Sequence, residues 1–243
     1  MRNDGRVATQ IRPIRFVPNF TQNPAGSVLV EIGHTMVLCT VSVQSGVPAW
    51  LRQQKYQKGW LTAEYCMVPS ATDTRNKRER GQVTGRSQEI QRLIGRSLRG
   101  VMDLTKCPNM TFIIDCEVIQ ADGGTRTAAI NGAWVALKIA IDKGIQKNFL
   151  KESPLLDNLA AVSIGLKNDE LLLDLDYSED STADVDMSIV MTQSGKIQEV
   201  QCSSEKAAFT HDQLNEAVST AKGAMEEIFS LQNAALDEAS LAE

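Results

Sequence analysis

The sequence predicts an α+β fold built from two similar mixed halves. Three observations carry this expectation. Apolar, strand-like segments arrive in hairpin pairs rather than alternating singly with helices. Each half closes on helices. The composition, 42% hydrophobic and 23% charged over 243 residues, is that of an ordinary globular chain. A chain of this size buries about 70–75% of its unfolded surface, enough for a full core without disulfide or metal staples. We read 1–243 as one unit, with a first half over about 10–142, a second over about 158–231, and a tail over 232–243.

The elements follow in order. Val28 to Ile32 and Met36 to Val43 flank Gly33-His34-Thr35 and predict a β-hairpin. Ser87 to Met102 predicts a helix, because Ile90, Leu93, Ile94, Leu98, Val101 and Met102 recur at helical spacing. Phe112 to Ile119 predicts a strand with Phe112, Ile114, Cys116 and Val118 on one face. A second helix, about Thr127 to Asp142, carries the apolar stripe Ile130, Trp134, Leu137 and Ile141. Asn148 to Asn158 is polar, contains Pro154 and reads as a connector.

In the second half, Leu159 to Leu166 and Leu171 to Tyr177 flank a polar Lys167-Asn168-Asp169-Glu170 turn, predicting another hairpin. Asp184 to Thr192 and Lys196 to Gln201 pair across Gln193-Ser194-Gly195. Thr210 with Gln213 makes a capping box for a long C-terminal helix, striped by Leu214, Ala217, Val218, Ala221, Met225, Ile228 and Phe229. From Gln232 the chain is Ala-rich and acidic and is expected to fray.

Several function classes are excluded at this stage. No run approaches 18 apolar residues, so no membrane span is expected, and Met1 to Arg6 precedes no apolar stretch of a secretory signal. The five cysteines, Cys39, Cys66, Cys107, Cys116 and Cys202, are scattered and odd in number. That argues against a disulfide framework or structural zinc and for a reducing, cytoplasmic setting, with most thiols serving as small core hydrophobes. The only histidines, His34 and His211, sit in no nucleophile motif.

The net charge of −5 argues against coating nucleic acid by bulk charge. Its distribution is uneven, however. Arg75 to Arg99 holds eight Lys/Arg against Glu79 and Glu89, a local +6 that leaves −11 for the remainder. Such a window reads either as a solvated helix face or as a polyanion-docking patch that an acidic body helps to localise.

Two segments carry chemistry. Gln120-Ala121-Asp122-Gly123-Gly124-Thr125-Arg126-Thr127 follows a strand and opens a helix. Glycines let the backbone approach an anion, the helix start offers N–H groups, Arg126 is a bidentate phosphate donor and Thr125 adds a hydroxyl. It is neither a Walker loop nor a G-x-G-x-x-G fingerprint, and a plain Gly-rich turn and cap is the other reading. In Ser178 to Met187, strand alternation puts Asp184 and Asp186 on one face with Ser188, and Asp180 precedes them closely enough to fold back beside that face. Carboxylates so arranged suit a magnesium or manganese ion or a general acid, while a solvent-facing acidic edge has the same pattern.

Longer motifs in order add a resemblance. The chain is similar to the ribonuclease PH family, phosphate-dependent 3′-exoribonucleases that trim tRNA precursors. The similarity runs nearly end to end: Met1 to Arg6, Gly26 to Glu31, Val37 to Thr40, Gly85-Arg86, Glu89 to Arg96, Gln120 to Thr127, Glu179-Asp180-Ser181 and Val185-Asp186-Met187. It implies a ribonuclease PH-type α+β fold with two pseudo-repeated halves and a ring-shaped homo-hexamer, a trimer of dimers.

By position it implies that Arg86, Gly124, Thr125 and Arg126 hold inorganic phosphate as co-substrate, and that Asp180 and Asp186 serve catalysis and a divalent metal, Mg2+ by expectation. Asp186 as a proton donor to the leaving 3′-oxygen stays open beside the metal role. Partners implied are tRNA precursors and other RNA 3′ ends, gripped by Arg75 and Arg78 with Arg92 and Arg96 of the basic segment.

Three departures stand out. Ser70 falls where a first tRNA-binding arginine is usual. Cys66 replaces a usual glycine, and Cys202-Ser203-Ser204-Glu205-Lys206 replaces a Gly-Thr-Ala-Glu-Gly stretch. The last keeps open an alternative: a non-catalytic RNA-binding ring subunit of an exosome-like assembly.

Overall fold

The structure, a computed structural model, describes residues 2–53, 57–204 and 206–241. The first half contains β1 (Ile14–Pro18), β2 (Gly26–Ile32), β3 (Thr35–Ser45), the single turn α1 (Ala49–Arg52), β4 (Trp60–Met67), α2 (Gly85–Gly100), β5 (Met110–Gln120) and α3 (Thr125–Gln146). The second contains β6 (Leu159–Lys167), β7 (Glu170–Leu173), the single turn α4 (Tyr177–Asp180), β8 (Val185–Thr192), β9 (Ile197–Ser204) and α5 (His211–Leu241). The strands form a five-stranded sheet in the order β1-β2-β3-β5-β4 and a four-stranded sheet in the order β7-β6-β8-β9. β4 runs parallel to β5, and the other strand pairs are antiparallel.

The hairpins appear where expected. Between β6 and β7, Asn168 and Asp169 both take positive φ (51° and 62°), the consecutive left-handed pair that matches the twist of a two-residue turn. α3 differs from its expected single stripe. It is buried on every face from Thr127 through Leu137, because it packs on β2 and β3 on one side and on β6 and α5 on others. The sequence stripe marks only part of that surface, since small residues such as Ala128, Ala129, Ala133 and Ala136 fill the rest.

Three expectations need correction. The strand over Leu171 to Tyr177 stops at Leu173: Asp174 turns into positive φ (52°) and Tyr177 begins α4. The tail does not fray at Gln232. α5 runs to Leu241 because its buried stripe continues through Gln232, Ala235 and Ala239 at helical spacing. The Gln232 Nε2 also donates to the carbonyls of Leu159 (3.1 Å) and Asn131 (3.4 Å). Ala242 and Glu243 lie outside the described residues. Finally, β1 and β4 form where no element is expected: β1 is short and ends on Pro18, and β4 alternates buried Leu61, Ala63 and Tyr65 with outward Thr62 and Glu64.

Candidate active site

The Gly-rich segment turns the end of β5 into the start of α3. Gly123 (φ 74°) and Gly124 (φ 64°) are consecutive left-handed residues, and a Cβ on Gly123 would lie 2.5 Å from the Leu175 carbonyl oxygen. Gly123 therefore requires glycine, and the left-handed φ of Gly124 favours it. The turn is pinned from behind. The Thr35 hydroxyl donates to Gly123 O (2.7 Å) and accepts from Asp122 N (2.9 Å). Arg12 donates to Asp122 O while its guanidinium makes a bidentate pair with Asp174 (2.9 and 2.7 Å). As the N-cap of α3, Gly124 has no side chain to satisfy the first turn, so that turn's N–H dipoles favour an anion.

Two partners orient the residues that follow. The Tyr65 hydroxyl, reaching from β4, donates to Thr125 Oγ1 at 2.8 Å. Burial raises the Tyr65 pKa above its ordinary value, so the phenol stays a donor. Arg126 Nη1 donates to Gln201 Oε1 (3.0 Å), and Gln201 Nε2 donates in turn to Glu89 Oε1 (2.7 Å). Arg86 sits in the first turn of α2. That turn is fixed by Thr84 Oγ1 accepting from Ser87 N, with the Thr84 and Ser87 hydroxyls both donating to Glu79 (2.8 Å each).

The opposing wall is one face of the second sheet. Its registers align Ser163, Ser188 and Gln201 in one cross-strand row and Gly165, Asp186 and Ser203 in the next. Gly165 leaves room for Leu175, whose Cδ1 would meet a Cβ there at 2.5 Å, so the segment after β7 lies across the sheet. α4 is locked by a capping box between Asp176 and Glu179. Buried Glu179 makes a bidentate pair with Arg2 (2.7 and 2.6 Å), which anchors Asp180 next to it. This is how Asp180 folds back toward Asp186.

The outcome is one cleft of about 270 Å³ lined by Arg86, Gly124, Thr125, Arg126, Asp180 and Asp186. All six residues expected from the two motifs and from Gly85-Arg86 thus share a cavity. Asp184 does not join them, and its Oδ2 instead accepts from Asn168 N (3.0 Å). Nor do Arg75, Arg78, Arg92 and Arg96 line the cleft. Arg75, Arg78 and Arg92 are exposed, while Arg96 pairs with Glu199 (2.7 Å).

Residues that the sequence reading did not assign to the site also line the cleft, among them Glu89, Ser163, Ser188, Gln201 and Ser203. The buried Ser163 hydroxyl finds no partner among the described residues.

The two aspartates could hold a metal only as an open site. Among the described residues no group of three or more His, Cys, Asp and Glu is arranged for an ion. Two carboxylates flanked by hydroxyls, completed by substrate phosphate and water, is nonetheless a donor set that suits Mg2+. The Cys202 to Lys206 departure falls beside the site. Ser203 stands opposite Asp186, and burial together with Asp186 raises the Cys202 pKa. Glu205 of the same stretch lies outside the described residues. On β4, burial and a 2.8 Å hydrogen bond to Glu117 push the Cys66 thiol up to about 12.

Comparison with known proteins gives two family matches. Residues 10–141 match the 3′ exoribonuclease family, domain 1, and residues 157–224 match its domain 2. Solved structures share the fold at low identity. Rice (Oryza sativa) Rrp46 aligns with TM-score 0.79 and 21% identity over 97% of this chain and 100% of that one. The Archaeoglobus fulgidus exosome with RNA bound to the active site aligns with TM-score 0.80 and 22% identity, over 94% and 91% respectively. An archaeal exosome core gives TM-score 0.77 and 21% identity, over 95% and 91%.

Proposed function

The chain belongs to the 3′ exoribonuclease family, ribonuclease PH type, and from that premise we propose that it is a phosphorolytic 3′-to-5′ exoribonuclease trimming tRNA precursors and other RNA 3′ ends. The observation that carries the reading is the meeting of Arg86, Gly124, Thr125 and Arg126 with Asp180 and Asp186 in one cleft.

The chemistry brings two anions together. Orthophosphate attacks the phosphorus of the last phosphodiester, the bond to the 3′-oxygen of the preceding nucleotide breaks, and that oxygen takes a proton. The product is a nucleoside 5′-diphosphate, whose anhydride lets the reaction run backwards when phosphate is scarce. The two guanidinium groups, the Thr125 hydroxyl and the first-turn amides of α3 neutralise and orient the nucleophile. Asp180 and Asp186 face it across the cleft, placed to supply a proton to the leaving oxygen or to hold a divalent ion. Bound there, Mg2+ would offset charge on the scissile phosphate.

We extend the proposal to a homo-hexameric ring, a trimer of dimers, in the cytoplasm, with exposed Arg75, Arg78 and Arg92 and the paired Arg96 contributing to RNA grip. All five cysteines are free, and among the described residues no helix is long and apolar enough to cross a membrane.

The deciding experiment incubates size-fractionated protein with a tRNA precursor while phosphate is titrated. Nucleoside diphosphates released in proportion to phosphate are expected, whereas phosphate-independent release of monophosphates would overturn the reading. Arg126→Ala should raise the KM for phosphate about 10- to 100-fold. The Cys202 to Lys206 departure favours a second reading, a non-catalytic RNA-binding ring subunit. It expects assembly and RNA binding with no phosphate-dependent product in the same assay.

A further inference from the structure

Gln201 lies outside every motif that points to the phosphate site, yet it ties β9 in the second half to α2 and α3 in the first. Its amide is held at both ends, by Glu89 Oε1 at 2.7 Å and by Arg126 Nη1 at 3.0 Å. An ionised carboxylate only accepts and a guanidinium only donates, so a single orientation of the amide satisfies both. Arg126 Nη1 stops 3.7 Å from the same Glu89 oxygen, too far for a hydrogen bond but well within attraction. At that distance no atom lies between the two charges; the Gln201 amide lies beside them and occupies the Nη1 proton and the Oε1 lone pair that a direct hydrogen bond would use. Were the arginine to close on Glu89, its charge would be committed to a fixed carboxylate instead of an incoming anion.

We infer that Gln201 is a positioning residue: an amide, oriented by Glu89, that engages the Arg126 donor and the Glu89 acceptor at once and so prevents the arginine from collapsing onto Glu89. The inference rests on the reading of Arg126 as a phosphate ligand. It predicts a sign that a purely structural role would not produce, namely that removing Glu89 repairs the loss of Gln201.

The test uses the full chain and inorganic phosphate alone, with Kd taken from phosphate-dependent stabilisation against heat, followed by kinetics with RNA. Gln201→Leu, with Gln201→Met in parallel, should weaken phosphate binding about tenfold and raise the KM for phosphate more than it lowers kcat. Adding Glu89→Ala to Gln201→Leu should recover most of that loss. An unchanged Kd in both Gln201 variants, or no recovery in the double variant, would overturn the inference. If the wild-type chain itself shows no stabilisation by phosphate, the reading of Arg126 fails and takes the inference with it. Wild-type binding combined with indifferent Gln201 variants sinks the inference alone.

Discussion

Tyr65 donates its hydroxyl to Thr125 Oγ1 at 2.8 Å, which leaves the threonine's own proton available for another acceptor. With one lone pair taken by the phenol, the Thr125 hydroxyl is left as a donor toward the cleft. Tyr65→Phe should therefore raise the KM for phosphate about three- to tenfold, since a hydrogen bond to a charged group is worth more than a neutral one.

The same residue sets an alkaline dependence. Burial raises the Tyr65 pKa, so the fold favours the neutral phenol. That contribution is fully present below the ordinary tyrosine value of about 10 and is lost as pH rises through the higher folded value. Urea midpoints should thus fall less steeply above about pH 10 in Tyr65→Phe than in the wild type. Equal slopes would show that Tyr65 does not carry the effect.

Asp186 and Asp184 are two positions apart, but Asp186 lies on β8 and Asp184 in the bend just before it, and their surroundings differ. Asp186 lines the cleft, while Asp184 accepts from the Asn168 backbone. Asp186→Asn should lower kcat about 10²- to 10⁴-fold with little loss of RNA affinity, the scale for removing an acid–base or electrostatic group. Asp184→Asn should leave kcat within about twofold, because it alters only a turn contact. Chelation with EDTA should mimic Asp186→Asn if the pair holds a divalent ion. Wild-type turnover by Asp186→Asn would remove Asp186 from the chemistry.

How much of this site is legible in the sequence depends on how local its determinants are. The Gly123-Gly124 turn and Arg126 are readable because strand, turn and helix start occupy consecutive residues. Asp180 is readable because only five residues separate it from Asp186. Glu89, Gln201 and Tyr65 are not, because their roles arise from contacts spanning 112 residues for Gln201–Glu89 and 60 for Tyr65–Thr125. The end of β7 escapes for a related reason. Leu171 to Tyr177 reads as an apolar run, but Asp174 leaves the strand to accept the Arg12 guanidinium from 162 residues away.

Gly123 and Gly81 share nearly the same φ, 74° and 76°, but not the same surroundings. A Cβ on Gly81 meets nothing within 4 Å, whereas one on Gly123 meets the backbone of Leu175 to Tyr177 at 2.5 to 2.9 Å. Gly81→Ala should cost only left-handed strain, about 1–2 kcal/mol. Gly123→Ala adds displacement of the segment that carries α4 and Asp180. It should cost about 3 kcal/mol or more and raise the KM for phosphate as well. Equal losses in denaturant unfolding would mean that crowding at Gly123 is relieved at no cost.

The end of α5 offers the last test, because its composition and its packing point in opposite directions. Residues 232–241 are Ala-rich and acidic, which suggests a solvated end. In the fold, however, Gln232, Ala235 and Ala239 are buried, and the Gln232 amide satisfies two interior carbonyls of α3 and β6. Deleting 232–243 removes the Gln232 hydrogen bonds to those carbonyls, of which that of Asn131 keeps its bond within α3, and uncovers the apolar surface beneath. A lost hydrogen bond costs about 0.5–1.5 kcal/mol and each uncovered methyl adds a fraction of the cost of a buried side chain, so the truncated chain should lose about 2–4 kcal/mol in urea unfolding. Its first turn, capped by Thr210 and Gln213, should stay intact. Since no residue of 232–241 lines the cleft, phosphate stabilisation should survive at temperatures where the shortened chain remains folded. A truncated chain as stable as the full one would show that the tail is held too weakly to matter.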